Sequence, residues 1–316
     1  MHAEIVARLR CPVCRDALSE FPGGLGCPAG HRFDLARQGY VNLLAGRVPA
    51  SPDTADMVSA RSSVLAAGHF RPVADALAAA AVDLAPPDGL VVDVGAGTGY
   101  YLAAVLDRLP GHVGLALDVS TPAVRRAARA HPRADAVAAD TWHGLPLADR
   151  SADLVLNVFA PRNGTEFHRV LRPSGGLLVV TPRPDHLAGL EPPVAVDPTK
   201  AERLDATLGA WFRFARSTGL EYEVTLSRAD AHRLVAMGPS ARHEPNRHRS
   251  ARLPCRFQPH ATGALRISPR LLPRGDRDGR RGAPDCRRRR HVTLKCSCRS
   301  PASNANSKST TETRDE

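Results

Sequence analysis

With 316 residues, 43% of them hydrophobic, the chain has the material for one large or two modest domains. It has no apolar run of about eighteen residues, so no membrane-spanning helix is expected, and its start, MHAEIVARLR, lacks the apolar stretch of a secretory signal. The net charge of +11 suggests a nucleic-acid partner until it is divided along the chain. Residues 1–243 carry 25 Lys+Arg against 25 Asp+Glu, and residues 244–316 carry 18 against 7. The basic excess therefore belongs to the last segment and says nothing about the rest.

The first pattern in chain order is Cys11 and Cys14, then twelve residues, then Cys27 and His31. Zinc accepts thiolate and imidazole ligands tetrahedrally, and two short chelating pairs joined by a loop suit it; Pro12 and Gly30 supply turn chemistry. Four ligands close the shell, which marks the site as structural. Three of the seven cysteines are used this way, which fits a reducing, cytoplasmic setting better than a disulfide scaffold. The remaining four (Cys255, Cys286, Cys296, Cys298) show no ligand spacing.

The chain divides into four regions: a zinc-binding module at 1–45, a Pro-, Ser- and Asp-rich linker at 46–60, a sheet domain at 61–243 and a tail at 244–316. In the third region short apolar strands (GLVVDVGAG, HVGLALDVS, ADAVAAD, ADLVLNVFA, GGLLVVTP) alternate with helical patterns. Such alternation predicts an α/β fold, a mostly parallel, doubly wound Rossmann-like sheet covered on both faces. The tail is rich in Arg, Pro and Ser without period. It is expected to be disordered, with a reading-frame change near residue 243 as its origin and a basic arm gripping RNA phosphates as the alternative. Its best strand-like fragment, GALRISPRLL, carries a proline mid-run, which argues against a central strand.

VVDVGAGTGYY places Gly95, Gly97 and Gly99 directly after an apolar strand and before a helix. Glycine permits a tight turn and close approach of a ligand to the backbone. The third glycine comes one residue too early for a dinucleotide fingerprint, so no phosphate is demanded. Asp118 ends the next strand, where a carboxylate can accept the hydroxyls of an adenosine ribose, and Asp140 ends the third. An acidic residue, GxGxG and a further acidic residue closing the second strand resemble the S-adenosylmethionine-dependent methyltransferases of the Rossmann-like class.

The segments CPVC…CPAGHRFDLARQGYVNLL, AAGHFRP, DVGAGTGYY, NVFAP and TPRPDHLAGL, in that order, resemble a narrower family over about residues 5–243. This is the 23S rRNA guanine-N1 methyltransferases, which include macrolide-resistance enzymes. The resemblance implies zinc on Cys11, Cys14, Cys27 and His31, and methyl-donor contacts at Gly97, Thr98, Phe70 and His186. It also implies 23S rRNA as partner and a homodimer. Arg32, Arg37 and Tyr40 beside the zinc pattern are read as RNA contacts, and Asn157 and Pro161 of NVFAP as substrate contacts at the end of the fourth strand. Asp140, His143 and His186 are the positional candidates for a base; none is singled out. Two other readings share the sheet. A small-molecule methyltransferase would have little use for the zinc module, and an inactive RNA-binding relic would account for the tail.

Overall fold

The computed structural model describes residues 1–46, 52–183, 186 and 207–238, together with the backbone of 260–273. Apolar runs such as ADLVLNV form strands because both of their faces find cover; in β8 (Ala152–Val158) every residue is buried. Six strands run parallel in the order β9 (Leu171–Pro182), β8, β5 (Gly89–Val94), β6 (His112–Asp118), β7 (Ala134–Ala138) and β4 (Tyr40–Asn42). Side chains alternate between two cores. Val91, Ala116, Leu154 and Leu178 face helices α2 (Ala55–Ala66), α3 (Arg71–Val82), α4 (Tyr100–Arg108) and α5 (Thr121–Ala127).

The neighbouring residues Leu90, Val92, Leu115 and Val155 face the opposite way. They are covered by Phe167 and Val170 of α6 (Gly164–Val170) and by the N-terminal segment, including Ile5 and Val6 of α1 (Ala3–Val6), Leu9, Cys11 and Leu25. Ile5 and Leu9 are fully buried, and each such side chain contributes about 1.5–3 kcal/mol relative to exposure. Backbone bonds tie this layer down, with Arg10 N–H donating to Pro146 O at 3.0 Å and Ala148 N–H to Arg8 O at 2.9 Å. The Arg15 guanidinium adds bonds to Leu145 O and Leu147 O at 2.9 and 3.1 Å.

Two of the expected boundaries shift. β4 pairs with β7, so the end of the supposed N-terminal module is an edge strand of the main sheet. The linker is shorter than 46–60, because α2 starts at Ala55, where Thr54 caps it by accepting from Met57 N–H at 3.2 Å.

The tail requires a larger correction. The backbone of His260–Pro273 forms β12, antiparallel to β9 on one side and to β10 (Phe212–Phe214) and β11 (Thr218–Thr225) on the other. The proline-bearing fragment is therefore the strand inserted beside the sheet. It accommodates Pro269 because the β9 register shifts between Pro269 and Leu271, the irregularity at which a strand tolerates proline. The rest of the expected disordered tail, 244–259 and 274–316, lies outside the described residues. Helix α7 (Arg228–Ala236) follows β11 and packs against α2.

A chain ending at residue 243 lacks β12 and leaves β9, with its buried Leu177–Val180 run, as an open apolar edge. We expect it to melt well below the full chain by circular dichroism and to aggregate. A chain ending at 273 should melt like the full-length protein.

Candidate functional site

Because both faces of the parallel strands are covered, polar groups collect at their carboxyl ends. The turn after β5 carries Gly95 (φ 79°) and Gly97 (φ 56°) in the left-handed region. A Cβ on Gly95 would overlap the methyl of Ala160, whereas at the buried Gly97 a Cβ would meet only the Arg61 side chain, 3.5 Å away. Thr98 is half-buried in the turn, and Gly99 leads into α4. Asp118 closes β6. One of its carboxylate oxygens accepts from Gly97 N–H and the other from Ser120 N–H, both at 2.8 Å. Burial pushes its carboxyl above the ordinary range, against the pull of those two bonds.

Asp93, two residues before the glycine turn, is 1% exposed, and neither carboxylate oxygen has a hydrogen-bond partner. Burial, with the Asp118 charge added, raises its carboxyl to about 8. A buried carboxylate without donors is costly and suits a cationic, donor-bearing ligand. Arg61 pairs with Asp53 at 2.5 Å and donates to Met237 O at 2.9 Å, so it bridges α2 to the end of α7 across the glycine turn. Sequence reading used the acid at Asp93 as part of the motif without giving it a role, and it missed Arg61. Asp93 carried a signal as the acid that precedes the glycines, while Arg61 carried none. The glycine turn, covered at Gly97 by the Arg61 side chain alone, and the bare Asp93 carboxylate together fit S-adenosylmethionine, which is a cation with a ribose.

Phe70 and His186, both expected to touch the methyl donor, are both buried, with ring centroids 6.4 Å apart edge to face. Phe159 joins them at 6.4 Å from Phe70 and reaches Tyr101 of α4 at 6.1 Å, so the aromatic group adjoins the glycine turn. Of the surrounding PDHL motif, only His186 is among the described residues.

Asp140, two residues past the end of β7, caps the short turn Thr141–His143. It accepts from Trp142 N–H at 2.9 Å and pairs with His143 Nδ1 at 2.8 Å, while the Trp142 ring stands exposed. Asn157 is fully buried; its Nδ2 donates to Val94 O at 3.1 Å and to Pro161 O at 2.9 Å, which fixes the loop after β8. Asn157 thus holds the loop from the end of β8, and Pro161 is the member of the pair exposed to solvent.

The metal ligands converge. Cys11 Sγ and Cys27 Sγ lie 3.6 and 3.3 Å from His31 Nδ1, Cys14 Sγ lies 3.6 Å from Cys27 Sγ, and all four donor atoms fall within 4.8 Å of one another. Zinc bonds of about 2.3 Å to sulfur and 2.0 Å to nitrogen place tetrahedral corners roughly 3.5–3.8 Å apart, so the donors fit this ion. The strands β1 (Ser19–Phe21), β2 (Gly24–Gly26) and β3 (Arg32–Asp34) form the small sheet around it.

Arg32 is exposed, with its guanidinium 4.7 Å from the Phe21 ring centre, and Arg37 is exposed as well. Tyr40 is not available to RNA. Pairing of β4 with β7 turns its ring into the core at 7% exposure, and the apolar packing of the sheet edge accounts for it.

Comparison with known proteins follows this division of the chain. Residues 9–47 match the family model described as RlmA, N-terminal, a zinc ribbon, and residues 91–175 match the model described as methyltransferase domain. The chain is 47% identical over 250 residues to the 23S rRNA (guanine(748)-N(1))-methyltransferase of Streptomyces fradiae, covering 77% of this chain and 89% of the relative. It is 50% identical over 291 residues to a protein of Micromonospora griseorubida assigned as a 23S rRNA (guanine-N(1)-)-methyltransferase, covering 85% of this chain and 98% of the relative. A Bacillus subtilis protein assigned the same activity is 33% identical over 248 residues, covering 73% and 86%.

Asp93 gives a pH prediction. Its carboxyl is raised in the folded state, so its contribution to stability is present in full below about pH 4 and is lost as pH rises through about 8. Urea unfolding of the ligand-free protein between pH 5 and pH 9 should show stability falling with pH, and Asp93→Asn should flatten that slope. An equal slope in both proteins would contradict the assignment.

Proposed function

This chain belongs to the family of 23S rRNA (guanine-N1)-methyltransferases, and from that membership we infer that it transfers a methyl group from S-adenosylmethionine to N1 of a guanine in 23S rRNA. The observation that carries the reading is the joint presence, in one chain, of the Cys11–Cys14–Cys27–His31 cluster and the Asp93–Gly97–Asp118 edge, over nearly the full length of the relatives. S-adenosylmethionine supplies, when bound, a sulfonium methyl open to in-line attack. Positioning and exclusion of water are then the main tasks of the protein.

With the donor bound, Gly97 would give it close access to the backbone in a turn that Gly95 permits, Asp118 would accept from its ribose, and Asp93 would answer its positive charge. Phe70, His186 and Phe159 provide a dry wall next to the glycine turn. Guanine N1 must lose its proton. Of the three positional candidates, His143 is best arranged to take it: Asp140 engages Nδ1 and orients the ring, which leaves Nε2 as acceptor. The acceptor base must be unstacked or flipped to enter, as for other enzymes that act on a base. Arg32 and Arg37 on the outer face of the zinc ribbon supply phosphate contacts. Such an enzyme works in the cytoplasm, where its ribosomal substrate is made.

Mass spectrometry of nucleosides from 23S rRNA, with and without the gene, should show N1-methylguanosine at one position only when the gene is present. Primer extension should stop there. An unchanged rRNA, with methyl transfer to a small-molecule extract instead, would overturn the reading.

A further inference from the structure

Among the described residues, Arg162 is the one arginine whose buried guanidinium nitrogens lack any hydrogen-bond partner: Nε and Nη2 are both screened from water and unbonded. Other partly buried arginines are satisfied. Arg169 reaches Glu166 at 2.7 Å and Asp149 at 2.7 Å, Arg172 reaches Asp153 at 2.7 Å, and Arg15 holds two carbonyls. No carboxylate pairs with Arg162, and burial alone lowers its guanidinium below the usual range. Leaving two donors of a cation buried and unmet is costly, so an absent acceptor is the physical explanation.

The loop that carries Arg162 is fixed on both sides. Asn157 holds Pro161 O on one side, while on the other Asn163 donates to Thr141 O at 2.9 Å and caps α6 by accepting from Glu166 N–H at 3.2 Å. Ala160, two residues earlier, stands against Gly95 of the donor turn, and the turn at Thr141 carries the exposed Trp142, a stacking face for an unstacked base. The loop that carries Arg162 thus lies at the edge where acceptor and donor must meet.

Nε–H and the adjacent Nη2–H form the side-on fork of a guanidinium, and two parallel donors match two adjacent acceptors. In guanine these are O6 and N7; adenine offers a donor in place of O6. We propose that Arg162 recognises the target guanine through O6 and N7, leaving N1 free to meet the methyl group and stabilising the charge that builds on O6. The proposal rests on the rRNA-guanine reading above. In the step, the N1–C bond forms as the C–S bond breaks, with that electron pair leaving on a neutral thioether and the N1 proton passing to His143. The electron density gained by the ring from N1–H is shared with O6, where the fixed cation counts most.

The test uses the full-length protein and 23S rRNA carrying either guanine or 7-deazaguanine at the methylated position; the deaza base lacks the N7 acceptor. With wild-type protein, 7-deazaguanine should lower kcat/KM by about tenfold or more, in the range of a lost bidentate contact. Arg162→Met should lose a similar factor on guanine and be indifferent to the 7-deaza change. It should melt at or above the wild-type temperature and bind S-adenosylmethionine normally, since no protein group loses a partner. Arg162→Lys, which keeps the charge without the fork, should show the same indifference. If the variants lose activity but stay as sensitive to 7-deazaguanine as wild type, and the salt dependence of RNA binding flattens by about one counterion, the fork holds a phosphate and the guanine assignment is overturned. Unchanged kinetics in both variants would also overturn it, with the activity itself intact. Failure of wild-type protein to methylate unmodified guanine N1 would defeat the functional reading first, and so is told apart.

Discussion

A parallel sheet has to be covered on both faces, and here the zinc ribbon is half of one cover. Leu90, Val92, Leu115 and Val155 would face water if Ile5, Val6, Leu9, Cys11 and Leu25 were removed. Cys11 is at once a metal ligand and a core residue, fully buried against the sheet. The ion therefore fixes a layer of the fold, and the loop 145–148 that receives this layer continues from the turn holding Asp140, Trp142 and His143. That segment joins the ribbon to the Asp140–His143 turn.

The same burial explains the chemistry at the carboxyl edge. Asp93, Asp118 and Asn157 stand at the carboxyl ends of their strands and Asp140 two residues past β7, on the edge that carries the glycine turn. Asp118 is satisfied by Gly97 and Ser120, while Asp93 has no protein donor. Asp118 thus shapes the glycine turn, while the Asp93 carboxylate is left without a protein donor beside it.

Features written in local spacing were legible from the sequence: the four metal ligands, the glycine turn, the acids that close β6 and follow β7, and the parallel strands. Phe70 and His186 were placed together only through family resemblance, since 116 positions separate them and no pattern links them. Tyr40 was misread because an aromatic next to a polar turn resembles an RNA contact until its strand is seen to pair with β7. β12 was rejected on Pro269, a fair local rule that a register shift in the β9 pairing overrides. Arg162 had no sequence signal at all, because what marks it is an absence of partners that only tertiary packing reveals.

The claim on which this account stands is that ribbon and sheet form one folding unit. It is tested most directly by calorimetric unfolding of the full chain before and after zinc is stripped with a chelator, with S-adenosylmethionine binding measured on both forms. The account predicts a single cooperative transition that moves to markedly lower temperature without the metal, with weakened donor binding. A chelated protein that keeps its main transition and its donor affinity, losing only local structure near Cys11–His31, would contradict it.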